Sequence, residues 1–194
     1  MKSKEARIEL LIMACSAGGM ILLMDLLASL QKNVRFAVLV IVHRNDRYQS
    51  SLEQMAQQRC QLRVKSAEEK EILQAGTVYF APAGYHLLIE NDHSVSLDVS
   101  EPVHYCRPSI DVSMQSAAEV YKESLLAILL SGANRDGAEG IHAISRYGGI
   151  TVVQDPNDAE VDIMPRAAIA TGAVSVILSD EQLEAYCTNL QGEN

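Results

Sequence analysis

Five stretches of the chain are apolar at nearly every position rather than at every second one: IELLIMAC (8–15), FAVLVIV (36–42), TVYFAPA (77–83), LLAILLS (125–131) and ITVVQ (150–154). Unbroken runs of this length predict strands buried on both faces, as parallel strands covered by helices are. Helical spacing lies between and after them. GGMILLMDLLASL (18–30) repeats apolar residues at three and four, and SSLEQMAQQR (50–59) is polar enough for a surface helix. In SIDVSMQSAAEVYKE (109–123), Ile110, Met114, Ala117, Ala118 and Tyr121 fall on one stripe. GAEGIHAISRYGG (137–149) ends on a glycine pair suited to a helix stop. SDEQLEAYCTNL (179–190) opens with Ser179 and Gln182 at capping-box spacing. One segment, HLLIENDHSVSLDVS (86–100), alternates instead about a polar Asn91-Asp92 and predicts an antiparallel hairpin appended to the sheet. The whole reads as an α/β domain with a mostly parallel sheet, one domain over residues 1–194, whose last four residues are expected to fray.

Composition narrows the function more than the fold. A formal charge of -9 and an isoelectric point near 5.0 exclude the basic surface that nucleic-acid binding needs, and equally a helix riding on anionic lipid. Cys15, Cys60, Cys106 and Cys187 are dispersed without a CxxC pair, which suits reduced thiols rather than a zinc site or a disulfide scaffold. The start, MKSKEARIELLIMA, is basic but its apolar run is short and continues into the first strand. Neither a signal peptide nor a membrane insertion is expected, and the location is expected to be cytoplasmic.

Ligands of open parallel sheets bind beyond the carboxyl ends of the strands. Ser16 follows the first apolar run, His43 the second, and Asp136 the run LLAILLS. A hydroxyl, an imidazole and a carboxylate at the same end of one sheet suit acyl transfer, in which a base takes the hydroxyl proton and an acid holds the base. Gly18 and Gly19 let backbone approach a substrate, and the amides beside Ser16, including that of Ala17, are candidate oxyanion donors. Each residue also has a structural reading: Ser16 as a helix cap, His43 as a satisfied core histidine, Asp136-Gly137 as a turn. The coincidence of three positions favours chemistry. His86, His93, His104 and His142 lie in or near the hairpin, in a loop and in a helix, and fit less well. Cys15 is a rival to Ser16, but neighbours on a strand point to opposite faces, so only one of them faces the site.

The motifs MACSAGG, VHRN, VYFAPAGYHL, CRPSIDVSMQSAA, LLSGANRDGAEGIHAI, GGITVVQDP and IMPRAAIATGAV, in this order from about Ile8 to Val176, resemble the CheB-type chemotaxis receptor methylesterases. The resemblance implies a Rossmann-like three-layer domain and a Ser-His-Asp hydrolase with Ser16 as nucleophile, His43 as base and Asp136 as acid. It implies hydrolysis of glutamate γ-methyl esters on the cytoplasmic helices of methyl-accepting chemoreceptors, releasing methanol, with deamidation of receptor glutamines as related chemistry. It implies no cofactor and no metal. Backbone groups of Ala17, Gly18 and Ala133 are then expected at the oxyanion, and Arg107, Arg44 and Met164 at the substrate. A monomer is expected.

The chain departs from the family pattern at four places. Ala17 stands where Thr is usual, Arg44-Asn45 where Met-Pro follows the histidine, Ser131-Gly132-Ala133-Asn134 where the family has Thr-Gly-Met-Gly, and Ile163 where Gly precedes Met164-Pro165. The first strand begins near Ile8, so the receiver domain of well-known members is not expected within this sequence. Two other readings stay open here: a weakly active or inactive signalling or binding module of the same fold, and an esterase of small molecules.

Overall fold

The computed structural model describes residues 7–44 and 51–190. Asn45, the start of the second helical segment at Ser50 and the fraying expected of 191–194 lie outside these residues. The central strand is β1 (Leu10–Cys15), in which all six residues are buried. It pairs in parallel with β2 (Ala37–Val42) on one side and β7 (Leu125–Leu129) on the other. Beyond β2 lie β4 (Thr77–Phe80) and β3 (Arg63–Ser66); beyond β7 lie β8 (Ile150–Gln154) and β9 (Val176–Leu178). The strand order is β3-β4-β2-β1-β7-β8-β9, every pair parallel. Because the chain leaves β1 first to one side and later to the other, the crevice at the carboxyl ends of β1, β2 and β7 is the topological switch point.

Among the described residues, six α-helices cover the two faces. Leu10, Ile12 and Ala14 of β1 point into a core shared with α3 (Ile110–Tyr121), α4 (Ala138–Arg146) and α5 (Ile163–Ala170), through residues such as Met114, Ile141 and Met164. Leu11, Met13 and Cys15 point the other way, against α1 (Met20–Ser29), α2 (Leu52–Arg59) and α6 (Asp180–Asn189), where Leu23, Ala56 and Leu183 meet them. This alternation across a strand covered on both sides is why the runs look continuously apolar. The capping box at Ser179 forms as its spacing predicts.

The hairpin forms too, with β5 (His86–Ile89) and β6 (Val95–Asp98) antiparallel. It is a separate two-stranded sheet rather than an extension of the large one. Leu87, Ile89 and Val95 enter the core on the α3 side, so its apolar face is satisfied by a helix rather than by a sheet edge. Three elements carried no clear signal. β3 and β9 are short edge strands with little burial, and α5 holds Pro165. That proline is in the first turn, where its missing N–H is no loss.

Candidate active site

Ser16 follows β1 directly, and its backbone N–H still donates to Ser131 O at 2.9 Å. The chain then turns sharply: Gly19 N–H returns to Ser16 O (3.2 Å), with Gly18 at a φ of +78°, a conformation that favours glycine. A Cβ on Gly18 would also stand 2.7 Å from Glu160 Cβ. α1 begins only at Met20, and its N-cap is Gly19. Ser16 is therefore not a helix cap.

Its hydroxyl lies 3.1 Å from His43 Nδ1, and His43 Nε2 lies 2.7 Å from Asp136 Oδ2. A carboxylate can only accept, so Nε2 carries the proton and Nδ1 presents a lone pair to the serine O–H. The imidazole is held from two sides and its side chain is only 9% exposed. Burial works against its charged form, but hydrogen bonding to Asp136 and to Cys106, with the fields of those groups, outweighs this and pushes the pKa up to about 9.

Asp136 is fully buried and uses both oxygens. Oδ1 accepts from Ser109 Oγ and Asp111 N–H (both 2.9 Å); Oδ2 accepts from Ile110 N–H (2.8 Å) as well as from His43. Its donors are thus the first residues of α3, a helix N-terminus that favours an anion. Burial raises the carboxyl pKa; the hydrogen bonds from His43, the Asp111 and Ile110 amides and Ser109 more than compensate and hold it below the usual range. The arrangement is reciprocal. Asp111 Oδ1 accepts from Gly137 and Gly140 N–H, both at 2.8 Å, at the start of α4. Burial pushes the Asp111 pKa up, the Gly140 and Gly137 amides oppose it, and the Asp136 charge adds to it, leaving it at about 6. Of the two neighbouring acids, Asp136 is the one that keeps its charge to lower pH.

A hydrogen-bonded series from hydroxyl to imidazole to buried carboxylate can generate an alkoxide-like nucleophile and hold the imidazolium that results. A model of the family described as CheB methylesterase matches residues 11–186. The chain belongs to that family. A relative of nearly equal length from Leptospira interrogans is 38% identical over 186 residues, 96% of each chain. The protein-glutamate methylesterase/protein-glutamine glutaminase of Symbiobacterium thermophilum is 32% identical over 185 residues, which is 95% of this chain and 51% of that one. The chain thus spans about half the length of that relative and nearly all of the Leptospira one. Among solved structures, the CheB methylesterase catalytic domain of Thermotoga maritima superposes with a TM-score of 0.88 at 28% identity, covering 94% of this chain and 98% of that one. Among the described residues no helix is long and apolar enough to cross a membrane.

The other expected site residues of this CheB-family chain divide. The N–H groups of Ala17, Gly18 and Ala133 donate to no acceptor among the described residues, and all three positions are exposed. They are available to an oxyanion. Met164, expected at the substrate, is instead wholly buried: its side chain packs on Gly132, where a Cβ would come within 2.4 Å of Met164 Cε. The two arginines are also spent internally. Arg44 donates to Glu53 Oε1 (2.8 Å) and to Ala81 O (2.6 Å); Arg107 donates to the carbonyls of Val99 and Ser100 (both 2.8 Å). Arg44 thereby ties the end of β2 to α2 and to the segment after β4, and Arg107 ties its own loop to the segment after β6. Cys15 is buried in the core and its thiol is pushed up to about 12 by burial, which removes it as a rival to Ser16.

Three residues of the site escaped the sequence reading. Ser109 and Asp111 sit in the RPSID segment and hold the loop of Asp136. The Ser131 hydroxyl reaches the carbonyls of Ala17 (2.8 Å) and Val161 (3.1 Å) and accepts from Val161 N–H (2.9 Å), tying the Ser16 turn to the loop before α5. The N-cap spacing of Ser109 before an apolar stripe was the available signal; nothing local marks Ser131.

Proposed function

We propose that this chain is a protein-glutamate methylesterase acting on methylated chemoreceptor helices, and that Ser16, His43 and Asp136 carry the reaction. The observation that supports it best is the continuous Ser16–His43–Asp136 hydrogen bonding at the carboxyl ends of three neighbouring strands. His43 Nδ1 takes the Ser16 proton as Oγ attacks the ester carbonyl. The resulting oxyanion is met by the unengaged amides of Ala17, Gly18 and Ala133. His43 returns the proton to the departing methoxide, methanol leaves, and water attacks the acyl-enzyme through the same base. Deamidation of a glutamine runs through the same intermediate with ammonia departing. The single catalytic domain works in the cytoplasm as a monomer, and recognition falls to the exposed rim of the crevice rather than to Arg44, Arg107 or Met164.

The test is methanol release from methylated receptor membranes of the source organism, with Ser16→Ala and His43→Ala in parallel. Release by the native chain alone is expected. Equal release by the Ser16→Ala variant would remove the serine mechanism. No release by the folded native chain, on membranes that a control enzyme demethylates, would remove the substrate assignment.

A further inference from the structure

Cys106 stands apart from the other cysteines. Cys15, Cys60 and Cys187 are buried among apolar residues, whereas Cys106 is half-exposed beside the crevice. Its sulfur, a ring nitrogen of His43 and a carboxylate oxygen of Asp136 lie within 4.8 Å of one another. The sulfur is also held in place: the Asn134 amide donates to it, and the thiol donates to His104 O, each at 3.4 Å. One sulfur, one imidazole nitrogen and one carboxylate oxygen make the donor set that borderline and soft divalent ions select over magnesium or calcium. Such an ion takes its ligands at about 2.0–2.3 Å in a tetrahedron, so Cys106 has to draw in while the His43–Asp136 contact, now 2.7 Å, widens to admit the ion.

We propose that His43, Cys106 and Asp136 form a reversible inhibitory site for a thiophilic divalent cation such as Zn²⁺. The proton balance explains the inhibition. The ion displaces the Cys106 thiol proton to solvent and takes the His43 Nε2 lone pair. The neutral imidazole then keeps its one proton at Nδ1, and the net change is release of a single proton. Nδ1–H now faces Ser16 as a donor and can no longer accept the serine proton. The base is blocked while the nucleophile is left untouched. This site stands whichever ester the chain cleaves, since metal binding is read without turnover.

The test uses the full chain stripped with EDTA and freed of chelator. Titration with Cd²⁺ is expected to give the ultraviolet absorption of a cadmium–thiolate bond, saturating at one equivalent and reversed by EDTA. That absorption is expected to vanish in both Cys106→Ser and Cys106→Ala, their folding checked by circular dichroism, and to need more Cd²⁺ in His43→Gln. With p-nitrophenyl acetate as substrate, and each protein normalised to its own metal-free rate, Zn²⁺ is expected to inhibit Cys106→Ser only at concentrations at least about tenfold higher than the native chain. Full-strength absorption in either cysteine variant, absence of any absorption in the native chain, or equal zinc sensitivity would overturn the proposal. If the chain does not cleave the model ester, the cadmium titration alone decides.

Discussion

Replacing Asp136 with asparagine keeps the shape of the side chain and turns one of its two acceptors into a donor. Four donors surround the carboxylate: Ser109 Oγ and Asp111 N–H at Oδ1, Ile110 N–H and His43 Nε2 at Oδ2. Whichever way the amide turns, its NH₂ meets one backbone N–H that cannot reorient. Stranding a buried donor costs about 1–3 kcal/mol. A domain stable by about 5–15 kcal/mol survives that loss. The catalytic loss should be larger. With the NH₂ toward His43, the imidazole pairs only by baring Nε2, which moves its proton to Nδ1 and aims a donor at Ser16. With the NH₂ toward Ser109, the tautomer is kept but the charge that supports the imidazolium is gone. In a serine-protease triad the same change lowers kcat by about 10⁴-fold, or roughly 5.5 kcal/mol at about 1.4 kcal/mol per factor of ten.

Asp136→Asn is therefore expected to lower the urea midpoint modestly and kcat/KM by two to four powers of ten. The assay pairs urea unfolding with hydrolysis of p-nitrophenyl acetate by protein shown to be folded. Ser109→Ala separates the two effects. It removes one donor to Oδ1 and the cap of α3, at a cost of about 1 kcal/mol, yet leaves the charge and the Nε2 contact in place. Its turnover should stay within tenfold of native. If Asp136→Asn stays within threefold of native while folded, the reasoning about charge and tautomer fails.

The working base is neutral His43, whose pKa is pushed up to about 9, so in metal-free buffer kcat/KM should rise with pH and level only near 9; a plateau already reached near 6.5 would contradict this. Gly18→Ala forces a side chain onto a φ of +78° and against Glu160 Cβ at 2.7 Å, so it should cost at least about 1–2 kcal/mol in urea unfolding and depress turnover by shifting the Ser16 turn, whereas an unchanged midpoint and rate would refute the constraint.

The legible parts of this protein were those with a period or a punctuation mark. Five buried strands appear as apolar runs because both of their faces are covered, and the triad candidates appear because Ser16 and His43 directly follow two such runs and Asp136 follows a third after a four-residue loop. β3 and β9 do not, since an edge strand with few buried residues leaves no apolar signature. Ser16 looked like a helix cap because a capping serine and a serine at a strand end precede the same apolar helix. Only the three-residue turn to Met20 separates the two cases. The motifs that hold Met164 and Arg44 do not say whether a side chain faces the crevice or braces the structure beneath it, and here Met164 is buried while Arg44 pairs with Glu53.

That bracing explains why the acid of the triad is also a structural residue. Asp136 receives the start of α3, and Asp111, in the first turn of α3, receives the start of α4, which begins two residues after Asp136. Each helix supplies the acceptor that the other's N-terminus lacks, so α3 and α4 pack as a reciprocally capped pair. The position of the carboxylate that orients His43 is then set by the docking of two helices rather than by a loop. Such anchoring holds catalytic geometry with little reorganisation during reaction. It also means that substitutions at Ser109 or Asp111, which hydrogen-bond to neither Ser16 nor His43, act on turnover only as far as they move Asp136.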